Sequence, residues 1–204
     1  MKKQLLSAVV VCALGAVGCG EEPVVPTPVD PGPNYNTESK VRTFLEGKTL
    51  VMTGANIPSH PNGLDEDVDY GPSSQCYNKV TIGVGGGNFN VSSVRARIEN
   101  PTGTPPKGDC NHANVLDTVN FASTGYAVPF VKDDGSCFDV TVTYTGFSQE
   151  GRAQISQDGK TVKMELYFQG VLGHRCADGA VGDKTVKRGG TAFTGNAVQV
   201  YAVQ

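Results

Sequence analysis

The chain has no apolar run long enough to cross a bilayer as a helix. Its longest, Leu5 to Gly18, covers fourteen residues, against the roughly 20 that about 30 Å of hydrocarbon requires. Basic charge is scarce as well, with 17 Lys and Arg against 20 Asp and Glu. Nucleic-acid binding rests on many phosphate contacts by Lys and Arg, so that class is excluded. The local run KTVKR at 184–188 reads as a solvated turn. Histidine is limited to His60, His112 and His174, each in a Gly-, Pro- or Asn-containing stretch, and no GxSxG elbow occurs. A nucleophile beside a base therefore has no signature here, and the chain reads as a non-enzyme. No stretch shows convincing 3.6-residue periodicity, which excludes a helical bundle.

What is present begins with an address. Lys2 and Lys3 precede the apolar run and small residues close it, the layout of a cleaved secretory signal over residues 1–18. Ala16-Val17-Gly18-Cys19 resembles the lipobox of bacterial lipoproteins, with Ala16 where that class prefers Leu. The resemblance implies cleavage before Cys19, a diacylglyceryl group on its thiol with acyl chains such as palmitate, and attachment to the membrane through that lipid. Gly20 in place of Asp after the cysteine is similar to the outer-membrane sorting pattern of the class. An outer-membrane, envelope localisation is therefore expected. Pro23, Pro26, Pro28, Pro31 and Pro33 follow, so residues 19–40 read as a lipidated cysteine and an extended, polyproline-like tether.

Residues 41–204 read as a single domain, and its pattern has period two. In TVKMELYF, Val162, Met164, Leu166 and Phe168 share one face, and Lys163, Glu165 and Tyr167 the other. CFDVTVTYT repeats this with Phe138, Val140, Val142 and Tyr144. KTLVMTG, CYNKVTIGV, FNVSSVRARIE, RAQIS and NAVQVYAVQ also read as strands. Asp158-Gly159, Asp134-Gly135 and the triplet Gly85 to Gly87 mark turns. The expected fold is all-β: an antiparallel sandwich or small barrel of about eight or nine strands, closed by disulfides.

Cysteine counting supports this. Cys12 leaves with the signal, and lipid on Cys19 leaves Cys76, Cys110, Cys137 and Cys176 to pair in an oxidising compartment. Four cysteines allow three pairings. CYNKVTIGV and CFDVTVTYT echo one another, each opening a strand and each followed at a distance by a further cysteine. The echo favours Cys76 with Cys110 and Cys137 with Cys176.

Other candidates carry less. GVGGGN at 83–88 leads into an alternating, strand-like run, so it reads as a hairpin turn and not as a phosphate loop. Asp65, Asp67 and Asp69 alternate in an acidic loop that is either simply solvated or a calcium site, although Tyr70 and Cys76 stand where an EF-hand needs Gly and Glu. Cys110, His112, His174 and Cys176 could hold zinc if their loops met unoxidised. LEGKTLVMTG, residues 45–54, is similar to the opening strand of lipocalin-like domains, where Gly and one further residue precede Trp; Thr49 holds that place.

Two functions follow as expectations. The first is a membrane-anchored, non-catalytic binding or scaffold module, with an envelope or surface protein as partner and residues 57–75 and 99–114 as contact loops. The second is a lipocalin-like carrier of a small apolar ligand, which needs a barrel with an apolar cavity. Intact-mass spectrometry of the membrane-extracted protein should find lipid on the Cys19 peptide and four thiols that alkylate only after reduction. An unmodified Cys19 would remove the anchor.

Overall fold

The computed structural model describes residues 34–54, 76–102, 107–195 and 197–204. The expected signal, Cys19, His60 and the acidic triad Asp65, Asp67 and Asp69 lie outside them, as does the contact loop 57–75.

The fold is nearly all β, as the alternation predicts, but it opens with one helix, α1 (Glu38–Leu45). Thr37 caps it, accepting a 3.3 Å hydrogen bond from the Lys40 amide, and Glu38 and Arg42 suit the two ends of its dipole. An eight-residue helix is marginal alone; this one stands because Val41 and Leu45, one turn apart, are buried in the main core. Tyr35 is also part of that core. The packed domain thus takes in the end of the segment read as a tether, starting before residue 41.

Nine strands form one antiparallel sheet: β1 (Thr49–Thr53), β2 (Tyr77–Gly85), β3 (Asn88–Thr102), β4 (Lys107–Ala122), β5 (Gly125–Val131), β6 (Phe138–Tyr144), β7 (Phe147–Ile155), β8 (Thr161–Phe168) and, after an excursion, β12 (Gln199–Val203). Their spatial order is β4-β3-β2-β1-β12-β8-β7-β6-β5. Each strand thus lies beside its sequence neighbour, and the last pairs with the first through Leu50↔Val203 and Val51↔Ala202. Inward residues such as Leu50, Ile82, Phe89, Val142, Met164 and Tyr201 belong to a single buried cluster.

The sheet is rolled. Its edge strands β4 and β5 are consecutive in the chain, and the Ser123 amide donates to Phe89 O at 2.8 Å while the Tyr126 amide reaches Gly87 O at 3.0 Å. Phe121 on β4 touches Tyr144 on β6, with ring centres 5.4 Å apart. Helix α1 closes one end, where Arg42 donates to Tyr126 O and lies over its ring. The hairpin between β7 and β8 turns where Asp158-Gly159 predicts, with Gly159 at φ 67°.

The excursion supplies a second layer. β9 (Val171–Leu172), β10 (Lys187–Arg188) and β11 (Thr191–Ala192) form a small sheet, so the basic run at 184–188 ends in a strand and not in a turn. Tyr167, Val171, Val186, Phe193 and Ala197 make a second core beneath it. This layer covers outward positions of β6 to β8. Glu165 and Tyr167 do face away from Met164, as the alternation predicts, yet they are buried and not solvated.

Three charged residues lie in register across that covered face: Asp139 opposite Arg152, and Arg152 opposite Glu165. Arg152 is fully buried and pairs with Glu165 at 2.9 Å. It also donates to Thr185 Oγ1 at 3.1 Å and Asp183 O at 2.8 Å, while Glu165 accepts from the Tyr167 hydroxyl and the Gly182 amide. Both members of the pair therefore grip the covering layer, Arg152 through Thr185 and Asp183 and Glu165 through Gly182. Gly151 allows β7 and β8 to approach this closely, since a Cβ there would overlap the Glu165 carbonyl oxygen. The two predicted disulfides are present, Cys76–Cys110 and Cys137–Cys176. The second ties the layer to the start of β6, where the Cys176 amide donates to Asp139 Oδ1 at 2.7 Å.

Removing one member of a buried ion pair costs about 3–5 kcal/mol. Arg152→Ala should lose that much in urea unfolding, while Lys163→Ala, an exposed position on the next strand, should stay within about 0.5 kcal/mol of the parent.

Candidate interaction surface at the open rim

The end of the roll opposite α1 is where the strands are uneven. β3 pairs with β2 only as far as Tyr77↔Arg95, whereas its pairing with β4 runs on to Thr102↔Lys107. Residues beyond Arg95 on β3 and before Asp117 on β4 thus form a two-stranded arm. This corrects the expectation of a contact loop at 99–114: residues 99–102 and 107–114 are strand. The arm escaped recognition because its register slips at Arg95/Ala96, Ala96/Arg97 and Glu99/Thr102, which breaks any two-residue alternation.

The first disulfide anchors the base of the arm. The Ala96 amide donates to Cys76 O, Asn78 Nδ2 donates to His112 O at 2.8 Å, and His112 Nδ1 lies 2.8 Å from Tyr77 O. Cys76, Cys110 and His112 converge closely enough to hold an ion. The sulfurs, however, are bonded to each other, and a disulfide offers no thiolate. Likewise Cys176 is bonded to Cys137, so the arrangement of Cys110, His112, His174 and Cys176 lacks the donors zinc needs.

The two edges of the sheet differ. β5 is protected: its pairing with β6 is interrupted between Ala127 and Phe130, around Pro129, and α1 packs against it. β4 has no neighbour on its outer side among the described residues. Along it Val115 and Leu116 are each 50% exposed, Val119 39% and Phe121 40%. From Val115 to Ala122 the one charge is Asp117, held by Arg95 in a two-pronged pair with Nε–Oδ1 at 2.6 Å. The Arg95 hydrogen bonds keep the Asp117 carboxyl below the usual carboxylate range.

Phe121 also begins a row of rings. Tyr144 lies next to it, Phe147 stacks on Tyr144 at 4.7 Å, and Phe168 meets Phe147 edge-on at 5.9 Å. Phe147 is 44% exposed, so the row continues the apolar surface of β4 around the rim. Below it a cavity of about 50 Å³ opens between Tyr77, Ser93, Phe121, Tyr144, Gln149 and Gln199. Burial pushes the Tyr144 phenol up to about 12 and raises Tyr77 further, so both remain protonated at neutral pH. A water occupies about 30 Å³, and ligand pockets run to roughly 300–1,000 Å³.

A larger cleft of about 680 Å³ lies beside Asn34 and Tyr35, between the β5–β6 and β7–β8 turns. Two of its polar side chains are engaged in the turns themselves: Asp134 Oδ1 accepts from the Ser136 amide, and Ser156 Oγ donates to Asp158 and accepts from the Thr161 amide. Comparison of the chain with known protein families, curated proteins and solved structures finds no match.

His174 sits under the second layer, 8% exposed. Its Nε2 lies 3.4 Å from Glu150 Oε2, an ion-pair separation without hydrogen-bond geometry. Arg175 holds the same carboxylate at 2.5 Å and lies 3.9 Å from Asp139. Burial, reinforced by Arg175, lowers the His174 pKa, while burial raises that of Asp139. Between the ordinary histidine value near 6.5 and the lowered folded value, the unfolded chain binds more protons. Stability contributed by His174 is therefore complete above about pH 6.5 and is lost as pH falls, by at most about 1.4 kcal/mol per unit. Asp139 acts in the opposite sense at lower pH, so the difference between parent and His174→Gln isolates the imidazole. The parent should lose stability relative to the variant between pH 6.5 and 5; parallel curves would remove this role.

Proposed function

We propose that the chain is a non-catalytic binding module of the cell envelope. In this reading it is anchored in the outer membrane through lipid on Cys19 and engages an envelope or surface protein at the free edge of β4. The observation that carries the reading is the sixteen-residue edge strand with Val115, Leu116, Val119 and Phe121 exposed, continuous with the ring row of Tyr144, Phe147 and Phe168. An unprotected edge offers a row of backbone donors and acceptors to an incoming strand, with side-chain contacts supplying the selection. Two disulfides suit an exported chain, and the lipobox-like Ala16 to Cys19 suits attachment.

The carrier reading draws support from the strand order, that of an up-and-down barrel with a helix across one end. Against it stands the cavity of about 50 Å³, which has room for a water or two and not for an apolar ligand.

The test is capture of cross-linked envelope proteins by the full chain and by Leu116→Lys/Val119→Lys. Both side chains are half exposed, so the variant should fold, with both disulfide-linked peptides recovered. Partner capture should fall by about tenfold or more. Equal capture by both forms would exclude the edge, and saturable one-to-one binding of an apolar fluorescent probe would favour the carrier.

A further inference from the structure

We propose that β4 pairs antiparallel with β4 of a second copy of this chain, about a two-fold axis at Val119. This rests on the reading of β4 as the interaction surface and names the partner it takes. The regular part of the strand is Asp117–Ala122, which runs against β3 without a shift from Arg95↔Asp117 to Asn90↔Ala122. Leu116 is the extra residue of the slip that ends it, because Ala96 is already opposite Val115.

Within that stretch the order of residues is self-complementary at one register. An axis at Val119 places Val119 opposite Val119, Thr118 opposite Asn120, and Phe121 opposite Asp117. The first is an apolar pair and the second a hydrogen-bonding pair, each of the kind that stabilises neighbouring strands. The third works because Asp117 is already neutralised: Arg95 grips its carboxylate with two nitrogens from the β3 side, so the incoming ring sits beside a paired carboxylate and not a bare anion. Neighbouring registers lose this. An axis at Asp117 opposes two carboxylates, and one at Thr118 sets Asp117 against Val119. One at Asn120 sets Val119 against Phe121 but carries Asp117 past the strand end, opposite Ser123, whose amide is already bonded to Phe89 O. One at Phe121 runs off the strand end at Ala122.

The other edge decides that the assembly closes. A head-to-tail sheet would need β4 of one copy to add to β5 of the next. β5 is obstructed by Pro129, its irregular pairing and α1. With β4 as the one open edge of the nine-stranded sheet among the described residues, the same patch must serve both copies, which gives a two-fold dimer and not a fibre.

The experiment uses the full exported chain with Cys19→Ser, so that shared lipid cannot bring copies together. Analytical ultracentrifugation over a concentration series should show a monomer–dimer equilibrium, and Val119→Lys, which sets two ammonium groups face to face, should weaken it by about tenfold or more. Val119→Cys should yield a disulfide-linked dimer on mild oxidation and Thr118→Cys should not, since Thr118 faces Asn120. A monomer at every concentration, or equal cross-linking at 118 and 119, would overturn the proposal. If the chain stays monomeric while envelope-protein capture still depends on Leu116 and Val119, the edge reading survives and the dimer does not. If neither depends on them, both fall.

Discussion

Pairing of the last strand with the first decides where the edges of this sheet lie. Every strand inside a sheet has both rows of backbone groups satisfied, and only edges do not. Because β12 joins β1 to β8, the first and last strands meet in the middle of the sheet, and the edges fall at β4 and β5, halfway along the sequence. The roll brings those edges together only near Phe121 to Tyr126. Among the described residues β4 is left with one row of groups free, and the exposed apolar edge follows from that closure.

The covering layer solves a different problem. A roll of this size has an outer face that would ordinarily be solvated and polar. Here a fully buried arginine and glutamate occupy it, which is tolerable because each charge is paired and the remaining donors and acceptors find partners in residues 173–185 and in the Tyr167 hydroxyl. A buried pair of this kind is a weak source of net stability but a strong source of register, since only one placement of the layer satisfies it. The two disulfides add to stability through the unfolded chain. Loops of 34 and 39 residues correspond to about 4 kcal/mol each in the chain-entropy account. Together these features give a rigid body from which the arm and the bare edge project.

Much of the fold was legible in the sequence wherever one face was apolar and the other polar. β8 and β6 were read almost to the residue, from Val162, Met164 and Leu166 and from Phe138, Val140 and Val142. The cysteine pairing was readable because the two bridges start from similar strands. β4 was not readable: KGDCNHANVLDTVNFA lies at an edge, is solvated on most sides and carries register slips, so nothing forces alternation on it. Helix α1 was missed because two buried residues, Val41 and Leu45, in eight positions are too few to display a 3.6-residue period. Nothing in the sequence marks Arg152 and Glu165 as buried, because their type predicts exposure, and only contact with residues 173–185 reverses that.

The sequence by itself determined the class of structure, the inward faces of the central strands and the pair of disulfides, because alternation and covalent bonding are local or nearly local matters. The tertiary structure alone decided which strand would lie at an open edge among the described residues, that the space between Tyr77, Phe121 and Tyr144 would be a cavity of about 50 Å³, and that a row of charges would be buried under a second layer. Those outcomes depend on how far the sheet curls before its edges meet and on which distant segment lies over its outer face, and neither is written in any short window of residues.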